Sequence, residues 1–251
     1  AIDVSTPLLM PFNKCQTGEP VRLMTHSGLI VSLPTDLRIT FLRLIAQNSQ
    51  ISSLRRYAIG RVYHEKKTHN QHPKQAYECA FDVVTPIKGN YLVDAELIAI
   101  CHEIITKFDI LKQRNVTFRI NHTSLVRAIF LYYSVPATKY RSVLDLVEEY
   151  LSDKIIRNKK HLIASVAALL PAKNGQSVCA LVDSLLVTDT PISNLSSTNL
   201  KVIIKGRGEA TALAKGAIRE LETIISLSQA MGVNRPINLC VNFTMGFDCL
   251  R

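Results

Sequence analysis

A run of cationic and aromatic residues between positions 55 and 74 is the part of the sequence whose residue types could do chemistry. This segment holds six basic residues against a single acid, Glu65, and interleaves two tyrosines and three histidines with them. Cationic side chains contact phosphates, and aromatic faces stack on unpaired bases. The segment therefore predicts a nucleic-acid contact through six cationic candidates: Arg55, Arg56, Arg61, Lys66, Lys67 and Lys74. The alternative is a solvated hairpin whose positive charge only aids solubility.

The three histidines of this segment, His64, His69 and His72, have a spacing that metal ligands could share. Glu65 is the only acidic residue or cysteine near them in the sequence, so the ligand set is incomplete. The sequence also lacks the glycine-rich phosphate loops, HExxH motifs and GxSxG turns that mark many cofactor-dependent and hydrolytic sites. We therefore expect neither a metal nor a cofactor.

The charge balance of the whole chain favours a polyanionic partner. Its 251 residues include 30 Lys and Arg against 20 Asp and Glu, which gives a net charge of +10. Such an excess favours nucleic acid, phosphorylated ligands or an acidic protein surface. A basic piece of a longer protein, whose acidic residues lie elsewhere, is the competing explanation. The 47% hydrophobic content excludes a disordered, collagen-like or coiled-coil chain.

Apolar runs and cysteines indicate the compartment. The longest apolar runs, such as 163–171, are far shorter than the ~20 residues of a membrane-spanning helix, so we expect no membrane association. Six cysteines are scattered along the chain without a CxxC pair, which is typical of reduced, cytoplasmic thiols. Because the first residue is Ala1 rather than Met, we expect an internal piece of a longer protein.

Sequence periodicity predicts an α+β fold with a mainly antiparallel sheet, because most strands lack the crossover helix that parallel pairing needs. The first third is predicted to form a hairpin over 21–33, a helix capped by Asp36, and strands at 56–64 and 76–84 that flank a long basic loop. Further on, we predict helices at about 94–112, 123–133, 138–151, 154–168 and 209–231, and strands at 116–120, 200–204 and 237–243. The polar stretch 171–199 fits no element and is predicted to be an insertion or a flexible segment.

Three phrases of the sequence occur in the order and at the spacing seen in class II histidyl-tRNA synthetases. They are Leu33–Leu37, Arg56–Tyr63 and Tyr77–Asp82, and Ile120–His122 and Ala217–Leu221 also resemble that family's catalytic core. The resemblance implies one class II aminoacyl-tRNA synthetase-like fold over residues 1–251, with an antiparallel sheet flanked by helices. It also implies that Tyr63 and His64, at the motif 2 position, face the acceptor end of a tRNA.

The resemblance implies a degenerate ligand pocket. His64 stands where the family has the arginine that holds the ATP α-phosphate, and Met245 stands where it has a second catalytic arginine. A threonine of the histidine pocket is replaced by Arg38, which would fill the pocket with a second cation, and a glutamine is replaced by Glu78. Because the loss of one preorganised donor costs about 10²–10³ in rate, we expect no catalytic residues and no synthetase activity. Asp36 and Asp82 keep the acidic character of the family's pocket. The five pocket positions are therefore Asp36, Arg38, Glu78, Asp82 and Met245.

The phrases Arg61–Tyr63, His72–Lys74 and Glu78–Thr85 resemble most closely the histidyl-tRNA synthetase-like domain of the general-control kinases, which sense amino-acid starvation and phosphorylate initiation factor two. This resemblance implies a homodimer that binds uncharged tRNA and relays the signal to a kinase domain of the same polypeptide. Two alternatives stay open. One is an active histidyl-tRNA synthetase core, and the other is a synthetase-like regulatory subunit of ATP phosphoribosyltransferase.

Overall fold

The computed structural model describes residues 1–12, 20–48, 50–65, 73–87, 89–152, 158–170 and 175–242. The chain forms two compact units, residues 1–89 and residues 90–251. The first unit is built mainly on strands and the second mainly on helices, which confirms the α+β fold that the sequence predicts. Among the residues so described, each helix is too short or too polar to cross a membrane.

The first unit contains two three-stranded sheets. Helix α1 (Leu37–Gln47) lies between the fourth and fifth strands of this unit. The strands are β1 (Ile2–Asp3), β2 (Met10–Pro11), β3 (Arg22–Met24), β4 (Ile30–Ser32), β5 (Leu54–His64) and β6 (Lys74–Val84). One sheet is antiparallel in the order β2-β4-β3. The other has the order β1-β5-β6, in which β5 and β6 pair antiparallel over 11 residues and β1 joins β5 in parallel.

Two local signals of the first unit are confirmed. The β3–β4 hairpin turns at Gly28, whose φ of +80° is a conformation that glycine adopts without steric cost. The Gly28 amide donates to the Thr25 carbonyl oxygen over 2.9 Å and closes this turn. Asp36 caps α1, because its Oδ1 accepts a hydrogen bond of 2.6 Å from the Ile39 amide. That bond satisfies one of the amides that every helix leaves unpaired at its start.

The second unit packs helices around one core. Its helices are α2 (Tyr91–Lys107), α3 (Asp109–Lys112), α4 (Thr123–Tyr132), α5 (Tyr140–Ser152), α6 (Lys159–Leu169), α7 (Gly175–Leu185), α8 (Lys201–Lys205) and α9 (Glu209–Ala230). Strands β7 (Phe118–Ile120) and β8 (Ile237–Leu239) form a two-stranded sheet. Helix α4 lies at the centre of the core, since Leu125, Ile129 and Phe130 are fully buried. Packing of such apolar faces, rather than helix propensity, supplies most of the stability of helices of this length.

The structure differs from the sequence prediction at 200–204, which lie in and next to helix α8 rather than in a strand. Ile203 of this helix is fully buried, whereas its neighbour Val202 is 56% exposed. A five-residue segment with four apolar residues is too short for its period to separate a buried helix from a buried strand. The pairing of β7 with β8 also differs, because it is parallel. The helices between these two strands supply the long crossover connection that parallel pairing requires.

Part of the stretch 171–199, for which the sequence predicts an insertion or a flexible segment, is helical. Helix α7 occupies Gly175–Leu185 and buries Val178, Leu181, Val182 and Leu185 in the core of the second unit. The correct signal was present in the sequence, because these four residues follow helical spacing between the Ser, Thr and Asn residues. Helix α7 therefore packs into the core through these four residues and is not a flexible connection. That the wider stretch is an insertion stays a prediction.

Candidate nucleic-acid interface

The β5–β6 hairpin carries six of the eight residues that the sequence predicts for tRNA contact, while Lys66 and Lys67 lie outside the described residues. The two strands pair in register from Leu54 opposite Val84 to His64 opposite Lys74. Because side chains alternate between the two faces of a sheet, the six residues divide between these faces. One face carries Arg55, Arg61 and Tyr63, and the opposite face carries Arg56, His64 and Lys74.

Four of the predicted residues meet at one end of the hairpin. We call this end the hairpin tip and define it as residues 61–64 of β5 with residues 74–77 of β6. Arg61, His64 and Lys74 are exposed there, and Tyr63 is half-buried. Arg55 lies six residues from Arg61 along β5, at roughly 20 Å given about 3.3 Å per residue. The structure thus brings four cationic or aromatic residues together and leaves Arg55 apart.

Arg61 and Tyr77 form a cation–aromatic pair on one face of the tip. They are direct cross-strand partners, and the Arg61 guanidinium carbon lies 5.9 Å from the centre of the Tyr77 ring. Arg61 Nε also donates a hydrogen bond of 3.3 Å to the Tyr77 hydroxyl. Hydrogen bonding to Tyr77, followed by Tyr63, raises the pKa of Arg61 above its ordinary value, so the guanidinium stays charged. Such a pair presents a cation for phosphate beside a ring face for a base.

Open space lies beside this pair. A cavity of about 340 Å³ is lined by residues 3–8 and by β5 residues that include Ile59, Arg61 and Tyr63. Three of the lining residues, Arg56, Arg61 and Tyr63, belong to the predicted contact set. The cationic side of the tip therefore faces solvent-accessible space rather than packed protein.

Arg56 requires a correction, because it is fully buried and cannot reach a phosphate on the surface. Its Nη1 lies 3.4 Å from Asp82 Oδ2 on the opposite strand, and its Nη2 donates to the Leu37 carbonyl oxygen over 3.2 Å. The guanidinium also stacks over the Phe41 ring of α1 at 4.1 Å from the ring centre. Arg56 therefore joins the sheet to α1. Strand alternation places it on the face that α1 covers.

The residues of the degenerate pocket lie around this same contact between α1 and the hairpin. Asp82 is paired with Arg56, and Asp36 is engaged in capping α1. Glu78 Oε1 accepts a hydrogen bond of 3.4 Å from the Leu37 amide. All three acidic side chains are thus bound to groups of the protein itself. A ligand with a positive charge would compete with these contacts for the three carboxylates.

Arg38 does not fill the pocket with a second cation as the sequence predicts, since its side chain is exposed on α1. Leu37 lies against the strand instead. A Cβ atom added at Gly60 would approach Leu37 Cδ2 to 3.1 Å, so the backbone of β5 and this side chain are in close contact. Met245 lies outside the described residues. In the described residues, no three His, Cys, Asp or Glu side chains come close enough to hold a metal ion.

A second polar cluster lies in the second unit, in phrases that resemble the synthetase core but supply none of the predicted site residues. His122 Nδ1 accepts from the Ser124 amide over 3.1 Å, so the ring proton sits on Nε2, which lies 2.9 Å from Glu220 Oε2. Burial raises the pKa of Asp94, although the nearby His122 partly offsets this effect. Burial, followed by Glu220, also raises the pKa of Tyr91. These contacts connect α2, α4 and α9, which is a structural role.

Tyr77 is the residue of the tip that the sequence prediction missed. It lies in the phrase that resembles the synthetases, yet its position in the sequence gave no reason to choose it over other tyrosines. The alternation of β6 contained a signal, because Tyr77 falls in register with Arg61 once the hairpin pairing is known. Its side chain is 68% exposed, so it is not a core residue.

Comparison with known proteins identifies relatives over nearly the whole chain. Human eIF-2-alpha kinase GCN2 is 34% identical to it over 235 residues, which are 93% of this chain. The chain spans only 14% of the length of that kinase. The cytoplasmic histidine–tRNA ligase of Dictyostelium discoideum is 27% identical over 232 residues, which are 90% of this chain and 44% of the ligase. No family model matches the chain.

A solved structure has the same fold. An ATP phosphoribosyltransferase regulatory subunit/histidyl-tRNA synthetase from Bacillus halodurans matches with a TM-score of 0.72 over 97% of this chain and 60% of that chain. The two sequences are 14% identical, so the likeness concerns the fold alone. The chain is homologous to the histidyl-tRNA synthetase-like domain of the GCN2 kinases, and it has the class II histidyl-tRNA synthetase fold.

Proposed function

We propose that this chain is a regulatory, synthetase-like domain of a kinase that phosphorylates initiation factor two. In this proposal the domain binds uncharged tRNA in the cytoplasm when amino acids are scarce and relays that state to a kinase domain of the same polypeptide. It has no aminoacylation activity of its own. The homology to the eIF-2-alpha kinase GCN2, whose name states its substrate, supports the link to the kinase.

The observation that carries the tRNA-binding part of the proposal is the composition of the hairpin tip. Arg61 and Lys74 are exposed cations on opposite faces of the hairpin, and Tyr63 and His64 stand beside them. The ends of two long strands hold these side chains, so little further ordering is needed on binding. The net charge of +10 adds a general attraction for a polyanion. Arg55 is a peripheral candidate, and Arg56 is excluded because it is buried.

The pocket supports the absence of synthetase activity. Amino-acid activation needs cations around the ATP phosphates and unpaired acidic groups for the substrate amine. His64 replaces one of those cations, and the acidic Asp36, Glu78 and Asp82 are held by protein groups. The histidyl-tRNA synthetase alternative is therefore disfavoured. The ATP phosphoribosyltransferase subunit alternative has only a fold likeness at 14% identity in its favour.

A titration of uncharged tRNA across a salt series tests the proposal by anisotropy. Replacing Arg61 and Lys74 together by Ala should weaken binding and flatten the dependence of log K on log salt by about 1.5 units, since each phosphate contact contributes roughly 0.7–0.9. The matched control replaces the exposed Lys201 and Lys205 of α8 by Ala, which removes the same charge. A hairpin variant with unchanged affinity and slope would overturn the assignment, above all if Lys159→Ala with Lys160→Ala abolished binding.

We also propose that the chain is a homodimer, because class II synthetase-like cores pair through the region around motif 1 and the strand after it. Light scattering at tens of micromolar chain measures this directly. A mass of two chains supports the proposal. A mass of one chain at that concentration contradicts it for this piece of the protein.

A further inference from the structure

Large apolar side chains are exposed on the solvent face of the β5–β6 hairpin, next to Arg61. Tyr77 is 68% exposed, Ile59 is 69% exposed and Tyr57 is 44% exposed. In the paired strands, Tyr77, Ile59 and Tyr57 occupy successive positions on the same face. A cluster of exposed apolar groups on a soluble domain commonly marks a binding surface.

Tyr77 is held in place by Arg61. The hydroxyl accepts the hydrogen bond from Arg61 Nε at 3.3 Å, and the guanidinium lies 5.9 Å from the ring centre. Two contacts to one neighbour restrict the rotamer of each side chain before any ligand arrives. Less conformational entropy is therefore lost when a ligand stacks on the ring.

The chemistry of this pair selects one class of ligand. A base can stack on an aromatic ring only where it is unpaired, because in a duplex both of its faces are already covered by neighbouring bases. The adjacent guanidinium supplies a contact for the phosphate of the same or the next nucleotide. An apolar protein segment would use Tyr77 and Ile59, but it would leave the charge of Arg61 without a counterpart.

We propose that Tyr77 is a base-stacking residue for the unpaired 3′ nucleotides of tRNA, with Arg61 holding the adjoining phosphate. This inference rests on the proposed function and on the acceptor-end contact that the synthetase resemblance implies, and it adds Tyr77, to which that resemblance assigns no role. Tyr77 is a binding residue in this scheme, and it makes no contribution to any reaction. If Tyr77 did no more than pair with Arg61 across the strands, it would contribute only modestly to the stability of the sheet.

The test compares tRNA that keeps its unpaired 3′ nucleotides with the same tRNA trimmed back to the paired stem. Tyr77→Ala should weaken binding of the intact tRNA about tenfold and leave binding of the trimmed tRNA unchanged, since one stacked base contributes about this much. Tyr77→Phe keeps the ring and should bind intact tRNA nearly as well as the unchanged chain. The matched control is Tyr132→Ala, which removes a 37% exposed tyrosine of the second unit and should affect neither RNA.

A direct reading comes from Tyr77→Trp, because the chain contains no tryptophan and the new side chain becomes the sole indole reporter. Stacking on a base should quench its fluorescence with intact tRNA and leave it unchanged with trimmed tRNA. This readout does not depend on whether Tyr77→Ala folds. Equal signals with the two RNAs would overturn the stacking role.

The outcomes separate this inference from the proposed function. If Arg61→Ala with Lys74→Ala weakens binding while Tyr77→Ala binds both RNAs as the unchanged chain does, tRNA binding at the tip stands and base stacking fails. If neither variant changes tRNA binding, both proposals fail. A selective loss for intact tRNA in Tyr77→Ala supports both.

Discussion

Arg56 and Asp82 face each other across strands β5 and β6, with 3.4 Å between Nη1 and Oδ2, in the interior of the first unit. The Arg56 side chain is fully buried and that of Asp82 is 15% exposed. The same guanidinium stacks on Phe41 and binds the Leu37 carbonyl oxygen, so a single side chain ties α1 to the sheet. This pair also neutralises an acidic residue that the synthetase resemblance places in a ligand pocket. This one contact therefore contributes both to stability and to the loss of the pocket's free acidic groups.

Replacing Arg56 by Met should destabilise the chain by about 3–5 kcal/mol, because it leaves Asp82 partly buried without its counter-charge. Urea unfolding followed by circular dichroism measures the change. Replacing both residues, as Arg56→Met with Asp82→Leu, should recover most of the loss, since a well-packed apolar pair can substitute for a buried ion pair.

Arg38→Ala is the control for that experiment, because it removes an exposed arginine from α1, the helix that Arg56 contacts. We expect a change within about 0.5 kcal/mol. A loss at Arg38 as large as the loss at Arg56 would contradict the assignment of Arg56 to the core.

The purified chain should give no ATP–pyrophosphate exchange with histidine above background. His64 lacks the permanent charge of the arginine that it replaces, and the acidic groups nearby are held by the protein. His64→Arg by itself should not restore exchange, because Arg56 still pairs with Asp82. An active histidyl-tRNA synthetase serves as the positive control, and exchange above background by the unchanged chain would sink the prediction.

Ile203→Ala should cost about 2–5 kcal/mol of unfolding free energy, because it empties space in the core of the second unit. Its neighbour Val202 is 56% exposed on the same helix, so Val202→Ala should stay within about 0.5 kcal/mol. Urea unfolding of the two variants measures the contrast. Equal losses at the two positions would argue against the helical placement of α8.

The stability of the chain should respond to pH through Asp94. Burial raises its pKa above the usual value, so the folded chain holds this proton more tightly than the unfolded chain does. The unfolding free energy of the unchanged chain should therefore fall relative to Asp94→Asn as the pH rises above about 4. Urea titrations at several pH values between about 4 and 7 measure this difference, which is small because Asp94 is only partly buried.

Glu103→Gln on the same helix provides a control of opposite sign. The hydrogen bond from Lys107 lowers the pKa of Glu103, so the unchanged chain should lose stability relative to this variant as the pH falls. High salt should reduce the effect of Glu103, since the Glu103 carboxylate and its partner, the Lys107 ammonium, are both exposed. The same direction of change for Asp94 and Glu103 would contradict both pKa directions.

Short-range features of the fold were predictable from the sequence because their causes are local. Gly28 marks the β3–β4 turn and Asp36 marks the start of α1. In each case the hydrogen bond that forms the feature joins two residues only three apart in the sequence. The long strands β5 and β6 follow from their β-branched and aromatic content. The segment 200–204 was misassigned because a short apolar run has no clear period. Burial of Ile203 against the other helices decides its conformation.

The sequence by itself determined which residue types could bind RNA and which synthetase residues are replaced, because both are matters of composition and order. Only the tertiary structure decided which of these side chains can act. Register and strand alternation turn Arg56 inward to Asp82 and leave Arg61 beside Tyr77 at the surface. A one-residue difference in position reverses the face of a side chain, and only the pairing with β6 and the packing of α1 show which face is covered.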